Sequence, residues 1–253
     1  AKSQMSIFGC IKNLSAFMRI VMLSVVVLTK NSEKYLAAVL SSASFADEII
    51  VLDSRSSDNT EQIAISFANV RFIRQAWLGF GAMKQLGVDM AKNEWIFVLD
   101  SDEIITEPLK AEILKTLENP LFKAYKVPRL NYFFGKEIRR MGLYPDYSTR
   151  FFDKRFARFD GREVHEKVLC DSDIGVFKEH FIHYAYESLE QFYNKQKRYA
   201  SLNHRPNTLK SLLNPLWSFF KLYFLKGGFL EGKRGFEIAL GYAKYTFWKY
   251  KKD

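Results

Sequence analysis

Residues 95–103 read Trp95-Ile96-Phe97-Val98-Leu99-Asp100-Ser101-Asp102-Glu103. Five apolar residues run straight into a group of acids. A run that short, bounded by polar residues, is a strand buried on both faces. Two carboxylates at i and i+2 leave its end on one side. A hard divalent cation takes oxygen ligands and is held by one or two carboxylates plus substrate phosphates. Asp100 and Asp102 therefore read as candidate ligands of such a cation. The plain alternative is a pair of solvated turn acids. The flanking sequence favours the ligand reading over it.

Upstream, apolar runs alternate with amphipathic stretches. Val21–Leu28 predicts a strand, Glu33–Ser44 a helix capped by Ser32, Glu48–Leu52 a strand, Asn59–Ala68 a helix, Val70–Ile73 a strand and Gly81–Ala91 a helix. Strand–helix alternation at this spacing builds right-handed crossovers and a mostly parallel sheet, an α/β fold. Ligands bind such sheets beyond the carboxyl ends of the strands. The polar clusters at 29–33, 53–58 and 100–103 all fall there and should converge on one crevice. Asp53 is suited to a ribose or base edge, and Asp58 reads as a cap for the next helix. Glycines open the helix that carries Lys84, and a cation at a helix start suits a diphosphate.

After Pro108 the pattern changes. Pro108–Glu118 predicts a helix. Ala124–Val127, Tyr132–Phe134, Arg150–Phe152, Val164–Leu169 and Gly175–Ile182 then predict short strands of a mixed extension of the sheet. Leu189–His204 is an amphipathic helix, and residues 208–250 form two more helical stretches parted by Gly227-Gly228. The expected organisation is an N-terminal extension over 1–19, a catalytic domain over 20–187 and a basic, aromatic helical region over 188–253.

Charge supports that division. The chain has 253 residues and a net charge of +10, yet residues 1–190 balance at 25 basic and 25 acidic side chains. Residues 191–253 carry 13 Lys and Arg against three acids, with 15 of the 40 aromatics. Such a region suits an anionic surface, a phospholipid leaflet or nucleic acid. Cys10 and Cys170 are too few for a disulfide framework or a cysteine zinc site and read as buried apolar thiols. No apolar run approaches the roughly 20 residues of a bilayer span, and residues 1–19 lack the features of a secretory signal.

The stretches LSVVVLTKNSEKYL, EIIVLDSRSSDNT and GFGAMKQLGVDMAKNEWIFVLDSDE resemble the inverting family-2 glycosyltransferases of GT-A fold. GLYPDYSTRFF, EVHEKV, IHYAYESLEQF and GGFLEGKRGF resemble the branch that adds glucose, β-1,4-linked, to a heptose of the lipopolysaccharide inner core. The resemblance covers roughly residues 20–250. It implies a Rossmann-like, mostly parallel sheet with a mixed extension and C-terminal helices. It also implies a UDP-sugar donor, Mg2+ or Mn2+, a lipid-linked saccharide acceptor, and a peripheral place on the cytoplasmic face of a bacterial inner membrane. By position, Thr29, Asn31 and Glu33 match the first-strand residues of the nucleotide site. Asp53 matches the acid on the uracil or ribose. Lys84 and Gln85 stand where many relatives have Arg and Asn, and Asp100 and Asp102 match the metal and sugar-nucleotide acids.

One departure stands out. Many family members carry a late Glu-Asp pair whose acid is the general base, and no such pair follows residue 120 here. Inverting transfer needs a base for the acceptor hydroxyl. The candidates are Glu166, next to His165, and Asp146, in Tyr144-Pro145-Asp146. His183, or His165, is a candidate to complete the metal shell through an imidazole nitrogen. Arg150 suits a phosphate, the acceptor or a structural ion pair. The aromatic, Lys-rich stretches Leu212–Leu225 and Phe229–Tyr250 have the composition of interfacial helices or of ordinary packing helices. A nucleic-acid-binding protein is the alternative from another class. No binding motif supports it, and the strand-end acids would repel a phosphate backbone, so no nucleic-acid partner is expected. Other glycans, of a capsule or a glycoprotein, are alternative acceptors. A nucleotidyltransferase would have a glycine-rich loop after the first strand, where Thr29-Lys30-Asn31-Ser32-Glu33 has none.

Overall fold

The computed structural model describes residues 22–161 and 166–252. The N-terminal extension, Cys10 and His165 lie outside the described residues. The elements are β1 (Leu23–Thr29), α1 (Glu33–Ala43), β2 (Glu48–Asp53), α2 (Thr60–Ile65), β3 (Val70–Arg74), α3 (Phe80–Met90), β4 (Trp95–Asp100), β5 (Glu103–Ile105) and α4 (Glu107–Glu118). Then come β6 (Ala124–Phe133), β7 (Lys136–Glu137), β8 (Asp146–Asp153), β9 (Ala157–Phe159), β10 (Val168–Cys170), β11 (Ile174–Val176), β12 (Phe181–Tyr186), α5 (Leu189–Leu202), α6 (Thr208–Phe220) and α7 (Gly232–Tyr250).

The main sheet runs β3-β2-β1-β4-β8-β6-β12-β5, with β7 and β11 also paired to β6. β3, β2, β1 and β4 are parallel. β8 is antiparallel to β4 and β6, whereas β12 is parallel to β6 and antiparallel to β5. The parallel half and mixed extension expected from sequence are both present. β1 shows how the halves of the core form. Val25 and Val27 face the layer with Leu36, Leu40 and Ile113, while Val26 and Leu28 face the layer with Met83 and Val88. Every residue of β1 is buried, so the run is continuous rather than alternating. α3 lies close on that second face: a Cβ at Gly87 would come within 2.3 Å of Val26 Cγ1.

Several expected boundaries move. The pieces 124–127 and 132–134 are one ten-residue strand, β6, because Pro128 inside it still accepts pairing from β8. The run 175–182 divides into β11 and β12, which pair with different stretches of β6. Asp53 is the last residue of β2 rather than one beyond it. Ser32 makes no side-chain cap to α1; Asp58 Oδ2 accepts the Glu33 amide instead. Cys170 is half-buried, with its sulfur 3.3 Å from Ser172 Oγ.

The C-terminal helices have a core of their own. Phe192 of α5 and Ile238 and Ala239 of α7 pack with Phe133, Ile138, Met141 and Tyr186. A Cβ at Gly241 would meet Phe192 Cε1 at 2.0 Å, so only glycine lets α7 approach α5. By contrast, α6 and the two short turns after it leave Leu212, Leu213, Leu216, Trp217, Leu225 and Leu230 more than half exposed. Both readings of these stretches thus find residues to fit them. Among the described residues no helix is long and apolar enough to cross a membrane.

Candidate active site

The parallel strands end together. Thr29 pairs with Asp53, and Leu28 with Asp100. Asp53 is buried and its carboxylate holds its own loop. It accepts from the Thr29 hydroxyl at 3.1 Å, from the Ser56 amide at 2.8 Å, and from the Ser56 hydroxyl. Asn31 adopts φ 49°, a region asparagine tolerates, and its Oδ1 accepts the Ser57 amide at 2.9 Å. Glu33 accepts from the Asn59 amide and side chain. Asp58 is not itself the cap of α2, which is Asn59; from one residue earlier its carboxylate accepts the Thr60 amide at 3.1 Å. The loops after β1 and β2 are thereby locked into one wall. Ser32 donates to Ser101 at 2.8 Å and ties that wall to the Asp100–Asp102 turn.

Asp100 faces cations. Its Oδ1 lies 3.2 Å from Lys84 Nζ, and its Oδ2 lies 3.2 Å from Arg150 Nη2. Lys84 is nearly fully buried, 2% exposed, and its ammonium also lies 2.6 Å from Glu166 Oε1. Arg150 continues to Glu103 Oε1 at 2.6 Å, and Glu103 Oε2 accepts the Asp100 amide at 2.9 Å. Burial works against ionised Asp100, but Lys84 and Arg150 outweigh it and hold its carboxyl well below the usual range. Glu103 shifts the other way: burial pushes it up, and the Asp100 and Asp102 charges add to that against Arg150. The chain of charges Glu166–Lys84–Asp100–Arg150–Glu103 is continuous.

Asp102, two residues on, has different company. Its Oδ2 lies 3.6 Å from His183 Nε2, and its carbonyl accepts the Tyr184 amide at 3.0 Å. His183 stands opposite Glu103 on β5 and Asn131 on β6. Its Nδ1 lies 2.7 Å from Asn131 Oδ1, while the Asn131 amide donates to the Leu143 carbonyl at 3.3 Å. Asn131 Oδ1 can only accept, so Nδ1 carries the hydrogen and Nε2 of the neutral ring presents a lone pair toward the carboxylate. Two acceptors facing each other call for a cation or a proton between them, and an imidazole oriented through its other nitrogen is the usual form of a metal ligand. Asp102 and His183 therefore fit a divalent cation as two of its ligands. Asp100, the other acid expected to bind metal, spends its oxygens on Lys84 and Arg150. Among the described residues no three His, Cys, Asp or Glu side chains converge as a cation site.

The sequence profile described as "Glycosyl transferase family 2" matches residues 24–185, more than half of the chain. The chain belongs to glycosyl transferase family 2. A Rickettsia typhi protein named an uncharacterized glycosyltransferase is 26% identical over 246 residues, covering 89% of this chain and 84% of its own length. The lipopolysaccharide core biosynthesis glycosyltransferase LpsC of Rhizobium meliloti is 25% identical over 241 residues, covering 89% of both chains. Among solved structures, S. aureus TarS 1–349 in complex with UDP superposes with a TM-score of 0.51 at 18% identity, over 72% of this chain and 65% of that one. The central sheet and its helices are those of the GT-A fold expected from sequence.

The remaining candidates sit further out in this glycosyltransferase. Gln85 ties α3 to β9: its carbonyl accepts the Phe159 amide at 2.8 Å and its amide donates to Asp89. Asp146 opens β8 and accepts from Arg129 Nε at 3.0 Å; Arg129 Nη1 in turn lies 4.0 Å from Glu103. Glu166, by contrast, stands one lysine away from Asp100. Glu103 and Asn131 escaped the sequence reading. Glu103 had a signal, an acid directly after the Asp-x-Asp pair at the start of another strand. Asn131 had none, since its role comes from strand pairing with His183.

Proposed function

We propose that this glycosyltransferase moves a hexose, glucose foremost, from a UDP-sugar to a heptose of a lipopolysaccharide inner core, with inversion at the anomeric carbon. The observation that carries the transfer reading is the meeting of Asp102–His183 with the Lys84–Asp100–Arg150 charges at the strand ends. The fold shared with TarS, described in complex with UDP, supports a donor of that class. The lipopolysaccharide acceptor is supported by the name of LpsC at 25% identity over most of both chains.

In this reading Asp53 and Thr29 flank the nucleoside, with Asn31 and Glu33 shaping the loop beside it. Lys84, with Gln85 bracing its helix, lies behind Asp100 and Glu166 and adds positive charge to the diphosphate side of the centre without touching it. Asp102 and His183 hold Mg2+ or Mn2+, with Asp100 at second rank. A bound divalent ion supplies positive charge where the leaving diphosphate gathers negative charge. Glu166 accepts the proton of the acceptor hydroxyl as that oxygen attacks the anomeric carbon and the bond to UDP breaks. Asp146 is the second candidate for that proton. Its carboxylate is already committed to Arg129, which links it toward the centre through Glu103.

In the same reading, the exposed apolar side chains of α6 and its following turns, together with Lys210, Lys221, Lys226 and Lys233, support a contact of residues 188–253 with an anionic leaflet. A lipid-linked acceptor at the cytoplasmic face of a bacterial inner membrane goes with that contact.

Calorimetric titration with UDP, with and without Mn2+, tests the donor reading beside GDP and a short DNA duplex. Metal-dependent UDP binding with GDP and DNA silent is expected. Salt-sensitive DNA binding without UDP binding refutes it. Sedimentation with vesicles of anionic or neutral phospholipid tests the surface; equal binding to both, or none, removes the membrane contact.

A further inference from the structure

A cleft of about 550 Å3 opens along α5, lined by Ser188, Glu190, Gln191, Asn194, Lys195 and Arg198. That volume suits a small ligand. β12 sets its place. His183 and Tyr184 of β12 touch the Asp102 turn, the strand ends at Tyr186, and α5 starts at Leu189. The Lys195 ammonium lies 4.9 Å over the Tyr186 ring. The cleft therefore begins where the Asp102 side of the centre ends.

Its charges are unusual. Lys195 and Arg198 stand three residues apart on one helix, neighbours of like sign that repel. Among the described residues neither has a carboxylate within ion-pair distance. Glu187, at the foot of the helix, is taken by Lys34 at 2.5 Å. Burial pushes the Lys195 ammonium's pKa down, against the pull of the more distant Asp102 and Asp100. Lys195 is half-buried over the Tyr186 ring and Arg198 is exposed beside it, so a bound anion would meet two cations that have no carboxylate of their own. Asn194 and the Gln191 amide add neutral donors to the same lining. Glu190, also in it, accepts from hydroxyls and disfavours a second anionic group. One anion and several hydroxyls describe a sugar that carries a single phosphate or carboxylate.

We propose that this cleft is an anion subsite for the acceptor, in which Lys195 and Arg198 grip a phosphate or carboxylate on the acceptor sugar. The word acceptor rests on the transfer reading above; the binding of an anionic sugar does not. The grip fixes which hydroxyl reaches the Asp102 side of the centre.

The test uses the full chain, with and without UDP, titrated with mannose 6-phosphate, glucuronate and methyl mannoside and followed by NMR. The phosphate and carboxylate arms tell the two anions apart. Binding of at least one of them, with methyl mannoside silent, is expected. The double variant Lys195→Gln/Arg198→Gln should weaken that binding by about tenfold or more, Lys195→Arg should restore most of the Lys195 share, and UDP affinity should not change. Undiminished binding by the double variant, equal binding of the neutral sugar, or no anion binding overturns the proposal. So does a parallel loss of UDP affinity, which would assign Lys195 to the donor. A wild-type chain that ignores UDP but binds the anionic sugar fails the donor reading and leaves the subsite standing.

Discussion

Asp100 and Asp102 stand two residues apart at the same strand end, yet they have opposite surroundings. Asp100 is enclosed by Lys84 and Arg150, and through them is bound to Glu166 and Glu103. Asp102 faces an imidazole oriented by Asn131 and is itself 40% exposed. One side is a continuous, largely buried charge network. The other is an acid–imidazole pair open to solvent. A paired-acid motif therefore does not assign equal roles to its two acids. The side chains that arrive from later strands do.

The strongest break of this comparison is Asp102→Ala. Turnover and metal-dependent UDP binding should vanish, while stability stays within about 0.5 kcal/mol of wild type, since no buried partner is stranded. Urea unfolding beside UDP calorimetry reads both; a variant that keeps its activity moves the cation site elsewhere. Next comes the base. Glu166→Gln should lower turnover by about 10²- to 10⁴-fold with UDP binding intact, and Asp146→Asn should lower it far less. The reverse order would hand the proton to Asp146.

On the Asp100 side the large effect falls on stability. Arg150→Met removes the nearest counter-charge of Glu103, 0% exposed, leaving it the Asp100 amide and the more distant Arg129, and should cost about 3 kcal/mol in denaturant unfolding. Adding Glu103→Gln should recover part of that loss. If Arg150→Met unfolds like wild type, the network is not structural.

The smallest effect is at Asp58, in the loop wall. Partial desolvation raises its pKa, but the Thr60 hydroxyl and the Glu33 amide bind the ionised form and leave it below the ordinary 3.8. As pH falls, the unfolded chain takes up this proton first. The stability that Asp58 contributes is full above that ordinary value and fades below it. Asp58→Asn should flatten the acid limb of the stability profile and leave the neutral region almost unchanged.

The first half of the chain was legible because its signals are local. A strand end, a helix start and the polar residues between them lie within a few positions. Thr29, Asp53 and Asp100 could be put in one crevice from alternation alone. Even there, the tasks of single residues were not visible. Asp53 was read for a ligand, and the structure shows it clamping Ser56 and Thr29 as well. Lys84 was read as open to phosphate and is found buried between two acids. In the second half, β6 was read as two pieces and β11–β12 as one, because short strands in a mixed sheet take their limits from the strands they pair with.

By itself, the sequence determined the parallel βαβ half, the convergence of its polar loops, the acids at the end of β4 and the concentration of basic and aromatic residues after position 190. Hydrophobic period and turn chemistry act over a few residues and need no partner to be read. The tertiary structure decided that Arg150 and Glu103 would enclose Asp100 and that Asn131 would orient His183 toward Asp102. It also placed Glu166 beside Lys84, and left one face of the C-terminal helices buried and another bare. Those outcomes depend on contacts between residues 47 to 82 positions apart. Burial then sets whether a charge is paired, shifted or left for a ligand, and burial exists only once the sheet has closed.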